Sequence, residues 1–335
     1  MPPLKHLLRL GRAYKGYLGR EEKCSYYPTK LWLEPTDICN LRCVMCPQSV
    51  ERPFSKGYME WGLFTKIVDE AKAFAYEINL FHRGESLIHP KLADMVAYVK
   101  RSGIHARLNT NASLLDEAKS KALIEAGLDF ISFSFDGYTS EVYDKIRVLG
   151  KFDRTVDRII AFLEVKKKLG RKAPFAALET IDFSVGETSE EDLERQRAFR
   201  ARFDGLPLDR FLVKRPHNWA GTYAPGDPAE AGKPHGYSPC TFPWYALVIF
   251  WDGTVSPCPQ DWYGDLDLGN VRHQSLAEVW NGAKMLELRR KMEAKNVHDL
   301  SPCKDCDMLW RPTLLGVPTT HMKNFLKENV LGYTQ

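Results

Sequence analysis

Two sets of cysteines carry most of the chemistry that this sequence suggests. The first, Cys39-Asn40-Leu41-Arg42-Cys43-Val44-Met45-Cys46, puts three thiols on one short loop after the apolar run Leu31-Trp32-Leu33. Three thiolates hold three irons of a 4Fe–4S cube and leave the fourth open to a small ligand. A zinc knuckle is the plainer alternative, but structural zinc takes four ligands in a closed site, and no fourth Cys or His stands nearby. The second set, Cys240, Cys258, Cys303 and Cys306, is spread over the last third of the chain. Four thiolates serve either a fully ligated cluster or a structural zinc, and taken alone zinc is the favoured reading. Cys24 is left over and reads as a buried structural thiol. With eight cysteines so grouped and no secretory signal, metal binding in a reducing cytoplasm is expected rather than disulfides.

Such loops need a scaffold, and the chain alternates two periodicities that supply one. Strand-like segments fall near 31–36, 77–82, 105–110, 130–135, 175–182 and 210–215, with helical stretches near 60–75, 90–102, 115–126, 153–169 and 189–203. That alternation predicts right-handed crossovers and a parallel α/β sheet. Parallel barrels present reactive groups at the carboxyl ends of their strands, where the first cysteine loop lies. A hairpin is expected to turn at Asp252-Gly253, followed by a helix near 275–294.

The net charge of +4 is too small for a nucleic-acid partner, which would need a concentrated basic face. No apolar run is long enough to span a bilayer. Apolar content of 44% and charged content of 27% suit a globular chain with a full core. Lys5, Arg9, Arg12, Lys15, Arg20 and Lys23 interleave with Leu4, Leu7, Leu8 and Leu10, so residues 1–29 read as a basic helical leader. Residues 221–236 are dense in Gly and Pro and read as a linker or lid.

The C-x3-C-x2-C spacing resembles the radical S-adenosylmethionine (SAM) superfamily, whose cluster binds and reductively cleaves SAM. That resemblance implies a partial (β/α)6 TIM-type barrel over 30–220. Further residues fit it. Phe81-His82-Arg83-Gly84-Glu85 is similar to the GGE motif for the SAM amino group, with Arg83 where the first Gly is usual. Leu108-Asn109-Thr110-Asn111-Ala112 resembles the TNG strand end, with Ala112 for Gly. Ser134-Phe135-Asp136-Gly137, followed by Arg147, resembles the SxDG…R arrangement of enzymes related to anaerobic sulfatase maturases. The resemblance thus implies SAM contacts from Gly84, Glu85, Asn109, Ser134 and Arg147. The order Cys240, Cys258, Leu268-Gly269-Asn270, Ser275 to Asn281, then Cys303-Lys304-Asp305-Cys306 resembles the SPASM or twitch extension. It implies a small hairpin-plus-helix domain over 237–312 that holds a second, auxiliary 4Fe–4S cluster, with a tail at 313–335.

Behind such a core, polar residues at later strand ends are substrate candidates: Glu179 and Asp182, then Arg215, His217, Asn218 and Trp219. In domain plan the chain resembles the dehydrogenases of 2-deoxy-scyllo-inosamine. The implied function is hydrogen abstraction from a sugar- or aminocyclitol-type substrate, with the auxiliary cluster accepting an electron. A reductant such as flavodoxin or ferredoxin is implied as partner, and natural-product biosynthesis as setting. Redox-neutral decarboxylation or epimerisation, peptide maturation, and a non-enzymatic zinc protein remain as alternatives. Peptide-modifying relatives often carry an extra peptide-binding domain, larger than the leader seen here.

Overall fold

The computed structural model describes residues 3–49, 55–181, 189–214, 236–315 and a few positions beyond. In chain order it forms α1 (Leu4–Leu18), β1 (Lys30–Leu33), α2 (Trp61–Ala71), β2 (Glu77–Asn79), α3 (Leu92–Arg101) and β3 (His105–Thr110). Then come α4 (Glu117–Glu125), β4 (Phe130–Ser134), α5 (Ser140–Ile146), α6 (Phe152–Lys168), β5 (Phe175–Ile181), α7 (Glu190–Ala201) and β6 (Arg210–Lys214). The C-terminal third holds β7 (Ala246–Ile249), β8 (Thr254–Ser256), β9 (Gly269–Asn270), α8 (Leu276–Trp280), α9 (Ala283–Glu293), β10 (Thr313–Leu314) and β11 (Val317–Pro318). The chain divides into two compact units. One, the strand–helix unit, comprises Glu34–Tyr58 and Asn79–Pro216; the other, the terminal unit, comprises Met1–Leu33, Met59–Ile78 and His217–Gln335.

In the strand–helix unit β3, β4, β5 and β6 run parallel, as the alternation requires. Their register sets two faces. Leu108, Ile131, Phe133, Ala176 and Leu178 form a fully buried apolar face, with Phe133 edge-on to Phe162 of α6. Arg107, Asn109, Ser132, Ser134 and Glu179 share the other face. At its lower end Arg107 lies over Phe130, Phe130 stacks on Phe175, and Arg210 lies over Phe175. Both loops leading into β4 and β6 are closed by the same device. Asp129 accepts from the Ala106 N–H and Lys100, and Asp209 accepts from the Ala176 N–H and the buried Lys166. The fold is therefore α/β with a mostly parallel sheet that ends at β6 without closing, the partial barrel expected.

In the terminal unit β1 pairs in parallel with β7, and β7, β8 and β9 follow antiparallel, with Gly253 at φ 92° in the β7–β8 turn. Trp280 and Trp244 are fully buried and donate to the carbonyls of Tyr26 and Glu21, fastening the segment after α1. The buried face of α1 packs on Tyr26; a Cβ at Gly16 would lie 2.5 Å from the Tyr26 hydroxyl.

Two elements depart from expectation. The single helix near 275–294 is two, because Asn281-Gly282 interrupts it. The shorter one, α8, opens with a capping box in which Ser275 and Glu278 satisfy each other's backbone N–H. Helix α5 has no counterpart in the sequence reading; Thr139 caps it and its seven residues are too few for a clear apolar stripe.

Candidate functional site

The first cysteine loop leaves β1 through Glu34 to Asp37 and is tied by its own polar residues. Thr36 Oγ1 donates to the Gly57 carbonyl (2.6 Å), and Asp37 Oδ1 accepts from the Gly57 N–H (2.9 Å). Two ladder bonds, Arg42 N–H to Val148 O and Val44 N–H to Ile146 O (both 3.0 Å), hold Cys43 level with Arg147. Burial pushes the thiols of Cys39 and Cys46 up to about 11 and about 12, and neighbouring negative charge adds to it, from Glu85 and Cys43 at Cys39 and from Cys43 and Cys39 at Cys46. Cys43 is raised by burial too, against the Arg147 guanidinium beside it. Backbone N–H groups of Leu41 and Gln48 already point at the sulfurs of Cys39 and Cys46. Thiols that stay protonated without a cation, yet are aimed together and hydrogen-bonded at sulfur, suit metal binding, which removes their protons.

Beside that loop stands the end of the second strand. A Cβ on Gly84 would lie 2.3 Å from the Thr36 carbonyl oxygen, so only glycine allows this approach. The Glu85 N–H donates to the Ile38 carbonyl (2.9 Å), joining the two segments. Glu85 is buried and accepts from Thr110 Oγ1 (2.8 Å), the Asn111 N–H (2.7 Å) and the Leu87 N–H (3.1 Å). Burial raises its carboxyl more than these bonds lower it, so a cationic partner would be stabilising here. Asn40, Asn111 and Ser113 form a closed hydrogen-bonded triangle between the cysteine loop and the turn after β3. Ala112, which replaces glycine in that turn, still adopts the left-handed conformation at φ 60°.

The departure at Arg83 has a counterpart that sequence reasoning missed. Glu34, fully buried, receives the Arg83 Nε (2.8 Å) and Nη2 (2.7 Å), and also its backbone N–H (3.2 Å). Burial pushes the Glu34 carboxyl up, but the Arg83 guanidinium overrides this and holds it at about 2. The pair is 49 residues apart in sequence, and no local signal links them.

Arg147 meets Asp136 through Nε (2.7 Å) and Nη2 (2.5 Å). Ser134 lies in register with Glu179, whose Oε2 accepts from Lys214 (2.6 Å) while Oε1 is buried without a hydrogen bond. Burial raises the Glu179 carboxyl, yet Lys214 and Arg107 leave it below the usual carboxylate range. On the same face the Asn109 Oδ1 is also buried and unbonded. Unsatisfied buried acceptors on one polar face invite a ligand or water. Arg215, His217 and Asn218, with Asp182, Trp219 and linker residues 221–235, lie outside the described residues.

Cys240, Cys258, Cys303 and Cys306 line one cavity in the terminal unit, walled by Pro243, Leu266, Leu288, Met292, Pro302 and Leu309. Burial raises every one of these thiols, Cys240 to about 11 and Cys306 to about 12, and neighbouring thiols add to it at Cys258, Cys303 and Cys306. Backbone N–H groups two residues on point at three of the sulfurs, those of Phe242 at Cys240, Gln260 at Cys258 (3.2 Å) and Met308 at Cys306. Among the described residues no three such side chains close on a single-ion site. A cube with an iron at each corner spaces its thiolates wider than one ion does, and four thiols around a shared cavity fit it.

Residues 33–191 match the radical SAM superfamily model, and residues 240–307 match that of the SPASM iron–sulfur cluster-binding domain. The chain is 26% identical over 322 residues to the tungsten-containing aldehyde ferredoxin oxidoreductase cofactor-modifying protein of Pyrococcus furiosus, covering 83% of this chain and 87% of that protein. BtrN, solved in complex with AdoMet and 2-DOIA, shares the fold with a TM-score of 0.54 at 19% identity, over 83% of this chain and 92% of its own. Streptococcus suis SuiB bound to precursor peptide SuiA gives a TM-score of 0.62 at 15% identity, over 84% and 70%. A radical SAM domain followed by a SPASM domain implies SAM, a SAM-binding 4Fe–4S cluster and auxiliary cluster binding. The chain thus carries a radical SAM domain over residues 33–191 and a SPASM iron–sulfur cluster-binding domain over residues 240–307.

Proposed function

We propose that this enzyme oxidises a sugar- or aminocyclitol-type substrate by radical chemistry, using an auxiliary cluster as electron acceptor. The observation that carries the reading is the shared cavity of Cys240, Cys258, Cys303 and Cys306. If all four thiolates bind one cube, no iron is left for substrate, and electron transfer is the role that remains.

In this reading Cys39, Cys43 and Cys46 hold the first cluster, and Gly84, Glu85, Asn109, Ser134 and Arg147 surround SAM. Bound there, SAM and the reduced cluster supply a 5′-deoxyadenosyl radical able to take a hydrogen atom from an unactivated carbon. Glu85 pairs with the SAM ammonium, and Arg147 offers its fork to the SAM carboxylate. Glu179, with one oxygen held by Lys214 and the other unbonded, receives the substrate hydroxyl and takes its proton. Oxidation of an alcohol carbon to a ketone would release a hydrogen atom to the 5′-deoxyadenosyl radical, a proton to Glu179, and one electron, which a cluster held by Cys240, Cys258, Cys303 and Cys306 would accept. Arg215, His217 and Asn218 are further substrate candidates. Residues 30–220 and 237–312 are the proposed functional divisions, and a flavodoxin or ferredoxin the proposed reductant. The solved complex of BtrN with AdoMet and 2-DOIA supports this substrate class.

A second reading is peptide modification. It is favoured by the solved SuiB complex with its precursor peptide and by a 24% identical PqqA peptide cyclase of Granulibacter bethesdensis, matched over 84% of this chain and 80% of that one.

The test replaces Cys303 and Cys306 by Ala and compares oxidised product with 5′-deoxyadenosine across a panel of aminocyclitols and sugars. Hydrogen abstraction should persist while the ratio of oxidised product falls at least about tenfold. An unchanged ratio would exclude the electron-acceptor role and favour redox-neutral or peptide chemistry.

A further inference from the structure

We infer that Asp136 is a positioning residue that presents Arg147 to the carboxylate of SAM, an inference that rests on the reading of Arg147 above. Asp136 is fully buried, and both its oxygens are engaged. Oδ1 accepts from the Ile181 N–H at the end of β5 (2.7 Å), and Oδ2 takes Arg147 Nε (2.7 Å) and Nη2 (2.5 Å). Fully buried, with both oxygens bonded to the protein, it acts through the arginine. A guanidinium carries five N–H groups. Asp136 uses two of them and a third meets the Cys43 thiol, which fixes the plane of the fork and leaves two for another carboxylate.

The chain around this pair serves the same placement. Gly137 turns at φ 102°, where a Cβ would meet the Tyr143 backbone nitrogen at 2.9 Å, and helix α5 then carries the chain back to Arg147. The ladder between 42–44 and 146–148 sets Arg147 beside the cysteine loop. A ligand held at that loop would thus find the fork already oriented.

The test measures equilibrium binding of SAM and of decarboxylated SAM to the anaerobically reconstituted full chain, for the parent, Asp136→Asn and Arg147→Ala. Decarboxylated SAM keeps the amine, sulfonium and adenosine but lacks the carboxylate. Asparagine can still accept from the Ile181 N–H, but it turns an amide towards the guanidinium. Both variants should weaken SAM at least tenfold and change decarboxylated SAM less than twofold. Equal weakening of both ligands by Asp136→Asn, with Arg147→Ala still selective, would make Asp136 merely structural and overturn the inference alone. Loss of selectivity in Arg147→Ala would overturn the reading of Arg147 itself, and the inference with it. Should Asp136→Asn not fold, Asp136→Glu, which displaces the fork by one methylene, is read in the same two-ligand comparison.

Discussion

The two cysteine sets of this chain are supported by different physics. Around Cys39, Cys43 and Cys46 the support is polar and charged: the buried pairs Glu34–Arg83 and Asp136–Arg147, the carboxylate of Glu85, and the Asn40–Asn111–Ser113 triangle. Around Cys240, Cys258, Cys303 and Cys306 the wall is mostly prolines, leucines and a methionine, with Gln260 the one polar side chain among the lining residues. Buried charge is expensive unless paired, and it is placed where a charged ligand must be oriented. An apolar wall excludes water and suits a group that exchanges only electrons. In the proposed reading, the contrast separates a site that holds a cluster and orients a zwitterion beside it from one that only encloses a cluster.

Arg83→Ala is the strongest way to break that contrast. It leaves Glu34 buried without its cation and should destabilise the protein by about 3–5 kcal/mol in denaturant unfolding. A loss below about 1 kcal/mol would mean that the pair is not what holds the first site. In the second region Leu288→Ala, deep in the cavity wall, should lower stability by about 3 kcal/mol through lost packing. That loss should not vary with pH, whereas the contribution of Glu34 must.

The folded Glu34 carboxyl lies at about 2 against an ordinary value of 4.5. A depressed carboxylate contributes fully above its unfolded pKa and loses that contribution as pH falls towards its folded one. The parent should therefore lose stability between about pH 4.5 and 2 through this pair, and the Glu34→Gln, Arg83→Gln double variant should lack that component. An equal acid slope in both proteins would contradict the assignment. The smallest expected effect is at Leu149, exposed and left-handed at φ 72° just after Arg147. Leu149→Gly should raise stability by about 0.5–1 kcal/mol, seen as a small rise in Tm. A decrease would show that the turn is held by the side chain.

Much of this was legible in the sequence, because it is written in short-range pattern. Strands β1 to β6 follow from period and spacing, and the Asp252-Gly253 hairpin from turn chemistry. The cysteine loop and the Gly84-Glu85 turn were legible for the same reason: their residues are neighbours in the chain. What was hidden is long-range. Nothing near Arg83 announces Glu34, and the Asp136–Arg147 contact forms only because α5 carries the chain back to Asp136. The break at Asn281-Gly282 was readable as turn chemistry and was overridden by the apolar pattern on either side.

The central claim is that the loop of Cys39, Cys43 and Cys46 binds the cluster that cleaves SAM. Its most direct test is 5′-deoxyadenosine formation, with iron content, in the reconstituted triple variant with all three changed to Ala. The expected result is no 5′-deoxyadenosine under reducing conditions and about half the parent's iron, retained by the other four thiolates. Continued formation of 5′-deoxyadenosine by that variant would contradict the account.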